Sequence, residues 1–208
     1  MAKNNITTWC IPPIDLPVQI TQGFHGDTHK RIPLGERADD YSYCLDFLVD
    51  EGSPVYAALG GEVFAVEVDG DFHYAPKEGE PIDERLLQRI LASGNAIAIL
   101  HDDGTFANYG HLQQGGSFVK IGQRVEPGQK IGLRGNTGFS FGPHLHFGIF
   151  QEISERTLES VPFRLLDYDD YLEDREIKPA AYTNVVRTSP SVFPVDGRIE
   201  WMPLSELG

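Results

Sequence analysis

Cysteine is scarce. Cys10 and Cys44 are the only two in 208 residues, too few for a disulfide framework, although they could form one bond or stay as two thiols. Cationic residues are scarce as well: 17 Lys and Arg stand against 31 Asp and Glu, a formal net charge of −14. A polyanion repels nucleic acid and anionic membrane surfaces, and no basic cluster offsets the excess, so neither is expected as a partner. No apolar run approaches the length that a membrane span needs. The stretch from Met1 to Gln19 has no uninterrupted apolar core behind a basic start, so it does not read as a signal peptide. That leaves a protein kept inside the cell, one whose leader has been removed, or export by another route.

Glycine and proline, by contrast, are plentiful, at 22 and 14 residues spread along the chain. They favour many short strands joined by turns over long helices. Tyr41–Val49, Pro54–Ala58, Gly61–Val66, Asn95–Leu100 and Thr105–Leu112 read as strands, with a hairpin turn at Asp102-Asp103-Gly104. Val119–Gly132 reads as strand, turn, strand, turn, with Gly122 and Gly128 at corners that need unusual backbone angles. Ile82–Leu91 carries apolar residues at helical spacing and is expected as a short surface helix. The expected fold is all-β, a mostly antiparallel barrel or sandwich of short strands with that one inserted helix. Residues 1–40 are expected as an extended N-terminal segment and loop, 41–165 as the folded domain, and 166–208 as an acidic, irregular tail.

The stretch His144-Leu145-His146-Phe147-Gly148-Ile149 alternates at strand period. It therefore puts His144 and His146 on one face and Leu145, Phe147 and Ile149 on the other. Asp46 stands mid-strand, where an acid is costly to bury unless it is paired or bound to a cation. A salt bridge would satisfy it, but no basic residue sits in that strand. Tyr109 and His111 are expected to share one face of their strand. A catalytic zinc asks for three protein ligands and an open position for water, with a nearby imidazole to take a proton. Asp46 and His146 suit the first role, His144 and His111 the second. His25 and His29 stand apart in a polar loop.

These residues sit in segments that resemble the lysostaphin-type (LytM-like) zinc metallopeptidases. The resemblance runs through Leu45-Asp46-Phe47, Gly52–Ala58, Asp103-Gly104, Tyr109-Gly110-His111-Leu112, Val119–Gly132, Gly135-Asn136-Thr137-Gly138 and Gly142–Phe147. It implies a zinc endopeptidase acting on peptide bonds of bacterial peptidoglycan, outside the cytoplasm. Asp46 and His146 become zinc ligands, and His111 and His144 the catalytic pair. One position departs from the family's His-x-Gly-x-Asp segment: Ser42 stands where its first ligand His belongs, and a Ser hydroxyl is a poor zinc ligand. Three outcomes stay open. His29 returns over the 30–45 loop as third ligand, Cys44 ligates as thiolate, or the site is incomplete and the domain binds the wall or regulates another hydrolase without cutting.

Overall fold

The computed structural model describes residues 8–165 apart from 17, 27, 35–36, 76–93, 141 and 155–156. The expected helix at 82–91 and the tail from 166 onward lie outside the described residues. Within them the chain is built of strands: β1 (Thr8–Cys10), β2 (Gln19–Gln22), β3 (Arg31–Leu34), β4 (Arg37–Asp40), β5 (Cys44–Leu48), β6 (Pro54–Tyr56), β7 (Gly61–Glu67) and β8 (His73–Tyr74). Beyond these come β9 (Ala96–Leu100), β10 (Phe106–Gly110), β11 (Leu112–Ser117), β12 (Arg124–Val125), β13 (Lys130–Arg134), β14 (Gly138–Phe139), β15 (Leu145–Ser154), β16 (Thr157–Ser160) and β17 (Phe163–Leu165). The fold is all-β and mostly antiparallel, as the strand-and-turn pattern implies. Among the described residues no helix is long and apolar enough to cross a membrane.

One large sheet runs β12-β7-β9-β10-β15-β16-β4-β3, with β5 on β15 and β2 on β5. No described pairing closes it into a barrel. The ten-residue β15 is its spine. It pairs with β10 along one edge, while on the other its first half pairs with β5 and its second half with β16. A three-stranded sheet, β11-β13-β6, supplies Leu112, Ile131 and Val55 to the same core as Val63, Ile97, Ile99, Tyr109 and Phe147 of the large sheet. Leu145, Phe147 and Ile149 are each 0% exposed. Burying a side chain of that size is worth about 1.5–3 kcal/mol. A one-residue slip of β15 would bury the two imidazoles and expose those three, so the apolar face locks the register that the site depends on.

Gly122 and Gly128 adopt φ of +81° and +80°, the left-handed corners expected of them. Two local expectations change. Residues 30–45, expected as a loop, include a hairpin in which β3 and β4 pair antiparallel with Leu34 opposite Arg37. Asp40 then lies opposite Glu159 as β4 docks parallel to β16. The segment Arg-Ala-Asp-Asp carries no apolar alternation, so its strand character arises from pairing rather than from its own pattern. The second change is at Thr105–Leu112. β10 stops at Gly110, and His111 takes φ of +60° before β11 begins. That break parts Tyr109 from His111. Tyr109 is 0% exposed in the core, its hydroxyl accepting from Ala58 N–H at 2.8 Å, while His111 turns out to the opposite side.

The described residues ahead of residue 40 are built into the body. β1 pairs parallel with β17, β2 pairs with β5, and Cys10, Ile11, Ile14, Leu16 and Val18 are buried.

Candidate functional site

The outer face of the large sheet carries the chemistry. Antiparallel pairing sets His146 directly opposite Asp46 on one side and Gly110 on the other. Opposed side chains on neighbouring strands stand about 4.5–5.5 Å apart at Cβ, so the first pair is in contact by register alone. At Gly110 an added Cβ would lie 3.4 Å from the Cβ of His146; its bare backbone leaves the imidazole room. The floor faces a cleft of about 870 Å³ lined by the four histidines His29, His111, His144 and His146 together with Asp46.

Three of the four rings are held from behind. His29 Nδ1 lies 2.7 Å from Gly23 O, His111 Nδ1 2.7 Å from Thr137 O, and His144 Nδ1 2.9 Å from Gly142 O. A carbonyl can only accept, so each Nδ1 carries the hydrogen and each neutral ring has its bare lone pair at Nε2. In His29 and His144 that atom is turned toward Asp46 Oδ1, at 3.2 and 3.6 Å. His146 approaches the same oxygen through Nδ1, at 2.9 Å. Lone pairs and a carboxylate converging on one point repel one another unless a proton or a cation lies between them. The ligand atoms of His29, Asp46 and His146 all lie within 4.8 Å of one another, and so do those of His111, His144 and His146. Two imidazoles and one carboxylate form a donor set of the kind that catalytic zinc takes, with a position left over. The residues present therefore fit a divalent cation.

Burial pushes the Asp46 carboxyl pKa up, but hydrogen bonds and charge from His146 and His29 outweigh it, leaving the group well below the usual carboxylate range. Burial pushes His111 down to about 3 and lowers His144 as well, although Asp46 pulls His144 the other way. Both rings are thus neutral near pH 7, with Nε2 free to accept a proton.

His29 reaches the site from the loop between β2 and β3, where it is 1% exposed. Ser42 lies in the turn before β5 and gives its backbone to the fold, its N–H donating to Asp40 Oδ1 and its carbonyl accepting from His25 N–H. Cys44 shares the Asp46 face by register, but it is 0% exposed and belongs to neither group of converging ligand atoms. Burial raises its thiol well above the ordinary range, which disfavours the thiolate a metal needs. Cys44→Ser is expected to leave zinc affinity unchanged in a chelator competition. Both cysteines are free. His25 is exposed against Tyr43 and takes no part. His101, with Nδ1 2.9 Å from Thr105 Oγ1, braces the β9–β10 turn.

The residues that hold the rings were not singled out from the sequence, although the Gly135–Gly138 turn was the signal for one of them. Thr137 accepts from Asn95 N–H through Oγ1 and donates to Leu112 O, while its carbonyl holds His111. Asn95 is 3% exposed and bonds both backbone groups of Gly70. Ser140 donates to Gly142 O at 2.5 Å, fixing the turn that carries His144. His111 sits at a left-handed φ that non-glycine residues adopt only when their surroundings impose it, and the Asn95–Thr137 network is that surrounding. Asn95→Ala is expected to destabilise the fold by about 1–3 kcal/mol, the cost of stranding buried polar partners, measured by urea denaturation.

An all-β sheet presenting a buried carboxylate among four imidazoles in an open cleft is an arrangement that could hold a metal ion. The model of peptidase family M23 matches residues 40–158, and the chain belongs to that family. It is similar to the peptidoglycan DD-endopeptidase ShyA of Vibrio cholerae, 32% identical over 135 residues, covering 65% of this chain and 25% of that protein. It is also similar to the glycyl-glycine endopeptidase ALE-1 of Staphylococcus capitis, 35% identical over 116 residues, covering 55% of this chain and 26% of that one. The chain thus spans about a quarter of the length of these curated relatives. Among solved structures it is similar to the catalytic domain of lysostaphin from Staphylococcus simulans, with 26% identity, a TM-score of 0.45, and coverage of 69% of this chain and 88% of that one. β2, β3 and His29 lie ahead of the segment that the family model matches.

Proposed function

We propose that the protein is a zinc-dependent endopeptidase that hydrolyses peptide bonds of bacterial peptidoglycan. The observation that carries the proposal is the convergence of His29 Nε2, Asp46 Oδ1 and His146 Nδ1, beside a second pair of imidazoles whose ring centroids lie 4.5 Å apart. His29, Asp46 and His146 hold the metal; His111 and His144 are the catalytic pair. Residues 41–165 form the peptidase domain, and the preceding segment completes its cleft.

Bound zinc supplies Lewis-acid activation of a water and of the scissile carbonyl. The protein's own groups do the rest. Asp46 offers one negative oxygen between two neutral rings, offsetting half the charge of a divalent ion. His144, with its Nδ1 hydrogen committed to Gly142 O, accepts the proton of the attacking water at Nε2. His111, tied at Nδ1 to Thr137 O, faces the same space with a second Nε2. It can receive the proton that His144 takes from the water, steady the tetrahedral intermediate with the resulting N–H, and pass that proton to the departing amine. The cleft extends to both sides of this cluster, over Ala96 and Asn108 on the β9–β10 side and Leu48 on the β5 side, which gives an extended peptide a surface to lie on.

The alternative, a domain that binds the wall without cutting it, arises because Ser42 stands where the family has its first ligand His. His29 beside Asp46 and His146 favours the enzyme. Peptidoglycan lies outside the cytoplasmic membrane, so the proposed substrate requires the protein to act there. The experiment is to incubate the zinc-loaded full chain with purified peptidoglycan and follow new amino termini. Hydrolysis that stops on chelation and returns with zinc supports the proposal, whereas stoichiometric zinc with no cleavage of any wall peptide sinks it.

A further inference from the structure

We infer that Gln22 is a positioning residue for the metal centre: it takes up one oxygen of Asp46 and fixes the loop that delivers His29, so that the ligand set is assembled before any ion arrives. The inference rests on the ligand set proposed above.

β2 and β5 pair antiparallel, with Ile20 opposite Phe47. Regular pairing would bring Gln22 opposite Leu45, pointing into the core with Ile20. The register shifts instead between Ile20 and Gln22, and Gln22 comes opposite Asp46. A bulge of this kind adds one residue to a strand and re-aims the side chain that follows. Here it moves a polar amide off the core face and onto the site face, beside the only carboxylate in either group of converging ligand atoms.

Once there, Gln22 has nearly its whole hydrogen-bonding capacity used. Nε2 donates to Asp46 Oδ2 at 3.0 Å and to Thr28 Oγ1 at 2.5 Å, and Oε1 accepts from Thr28 N–H at 3.1 Å. The opposite amide orientation would set an oxygen against the carboxylate and a donor against the Thr28 N–H, so the network fixes the assignment. Two consequences follow. Asp46 Oδ2 is engaged from behind, leaving Oδ1 as the oxygen that His29, His144 and His146 face. Thr28, gripped at both its N–H and its hydroxyl, directly precedes His29, whose own Nδ1 is tied back to Gly23 O. The loop from 23 to 29 is thereby closed on Gln22. Gly26 lies against the same side chain: a Cβ at that position would collide with Gln22 Cγ and stand 2.9 Å from Cδ. A ligand carried by a strand inherits its placement from the sheet, whereas one carried by a loop needs such a brace. Partners of this kind behind a metal ligand are typically worth about 10- to 100-fold in metal affinity.

The test uses Gln22→Met, which keeps the length and packing of the side chain and removes both amide groups. Gly26→Ala, which displaces Gln22 without altering any residue of the network, is the second variant. Zinc affinity is read by competition with a chelating dye, and the coordination environment by the visible spectrum of the cobalt-loaded protein. Circular dichroism of the metal-free protein reports folding. Both variants are expected to weaken zinc about 10- to 100-fold and to change the cobalt bands, because Asp46 can then offer its second oxygen, while the metal-free spectrum stays native. Wild-type affinity with an unchanged cobalt spectrum in either folded variant overturns the inference. His29→Ala, measured alongside, separates the two levels. If it loses zinc while Gln22→Met does not, only the role of Gln22 falls; if it too keeps wild-type affinity, the ligand set itself is wrong.

Discussion

His29→Ala is expected to lose zinc as completely as His146→Ala, with affinity falling by more than the roughly 100-fold that marks the upper end for loss of a supporting partner. The expectation comes from geometry. His29 Nε2 and His146 Nδ1 flank the same oxygen of Asp46, at 3.2 and 2.9 Å. Within the proposed ligand set neither Ser42 nor Cys44 replaces either ring, since neither belongs to a group of converging ligand atoms and Cys44 is sealed in the interior. Alanine at 29 leaves one imidazole and one carboxylate, too few donors for a catalytic zinc site. Zinc content after dialysis, determined by atomic absorption on both variants, checks it. Stoichiometric zinc in His29→Ala would return the third ligand to another residue.

The second large effect separates chemistry from metal binding. His144→Ala and His111→Ala are each expected to lower kcat by about 100- to 10,000-fold, the usual contribution of a positioned acid or base, while zinc content stays at the wild-type level. Neither ring belongs to the group formed by the ligand atoms of His29, Asp46 and His146; the His111 and His144 centroids lie 4.5 Å apart and His111 5.9 Å from His146. Each is oriented by a backbone carbonyl, Thr137 O for His111 and Gly142 O for His144. The His111–His144 pair acts on one proton path, so the double variant should cost little more than the worse single one. Steady-state hydrolysis of a defined wall peptide, with metal content measured on the same samples, is the check. A loss of zinc in either variant would place that ring among the ligands.

The strand order and the core were legible because period-two alternation is a local property. Leu145, Phe147 and Ile149 against His144 and His146 could be sorted by counting. Asp46 announced itself by being an acid where a strand should be apolar on both sides of a core. What could not be read depends on pairing between distant segments. The β3–β4 hairpin carries no alternation of its own and gains its strand form from docking on β16. Tyr109 and His111 look like neighbours on one face until the backbone turns left-handed at His111, a conformation that nothing in the name of the residue announces. Gln22 is the clearest case. Its role exists only because a bulge shifts β2 by one residue against β5, and a bulge at Thr21 leaves no mark in Gln-Ile-Thr-Gln. The same limit applies to the proposed metal site: the sequence says that Ser42 departs from the family's pattern, but that the loop from 23 to 29 brings His29 back beside Asp46 depends on pairing between distant segments.

The most direct test is a crystal structure of the zinc-loaded full chain with anomalous data collected at the zinc edge. The proposed ligand set requires one strong peak at about 2.0–2.2 Å from His29 Nε2, Asp46 Oδ1 and His146 Nδ1, with His111 and His144 facing it unbound. A peak ligated by His111, His144 and His146, with His29 left outside its coordination, would contradict it.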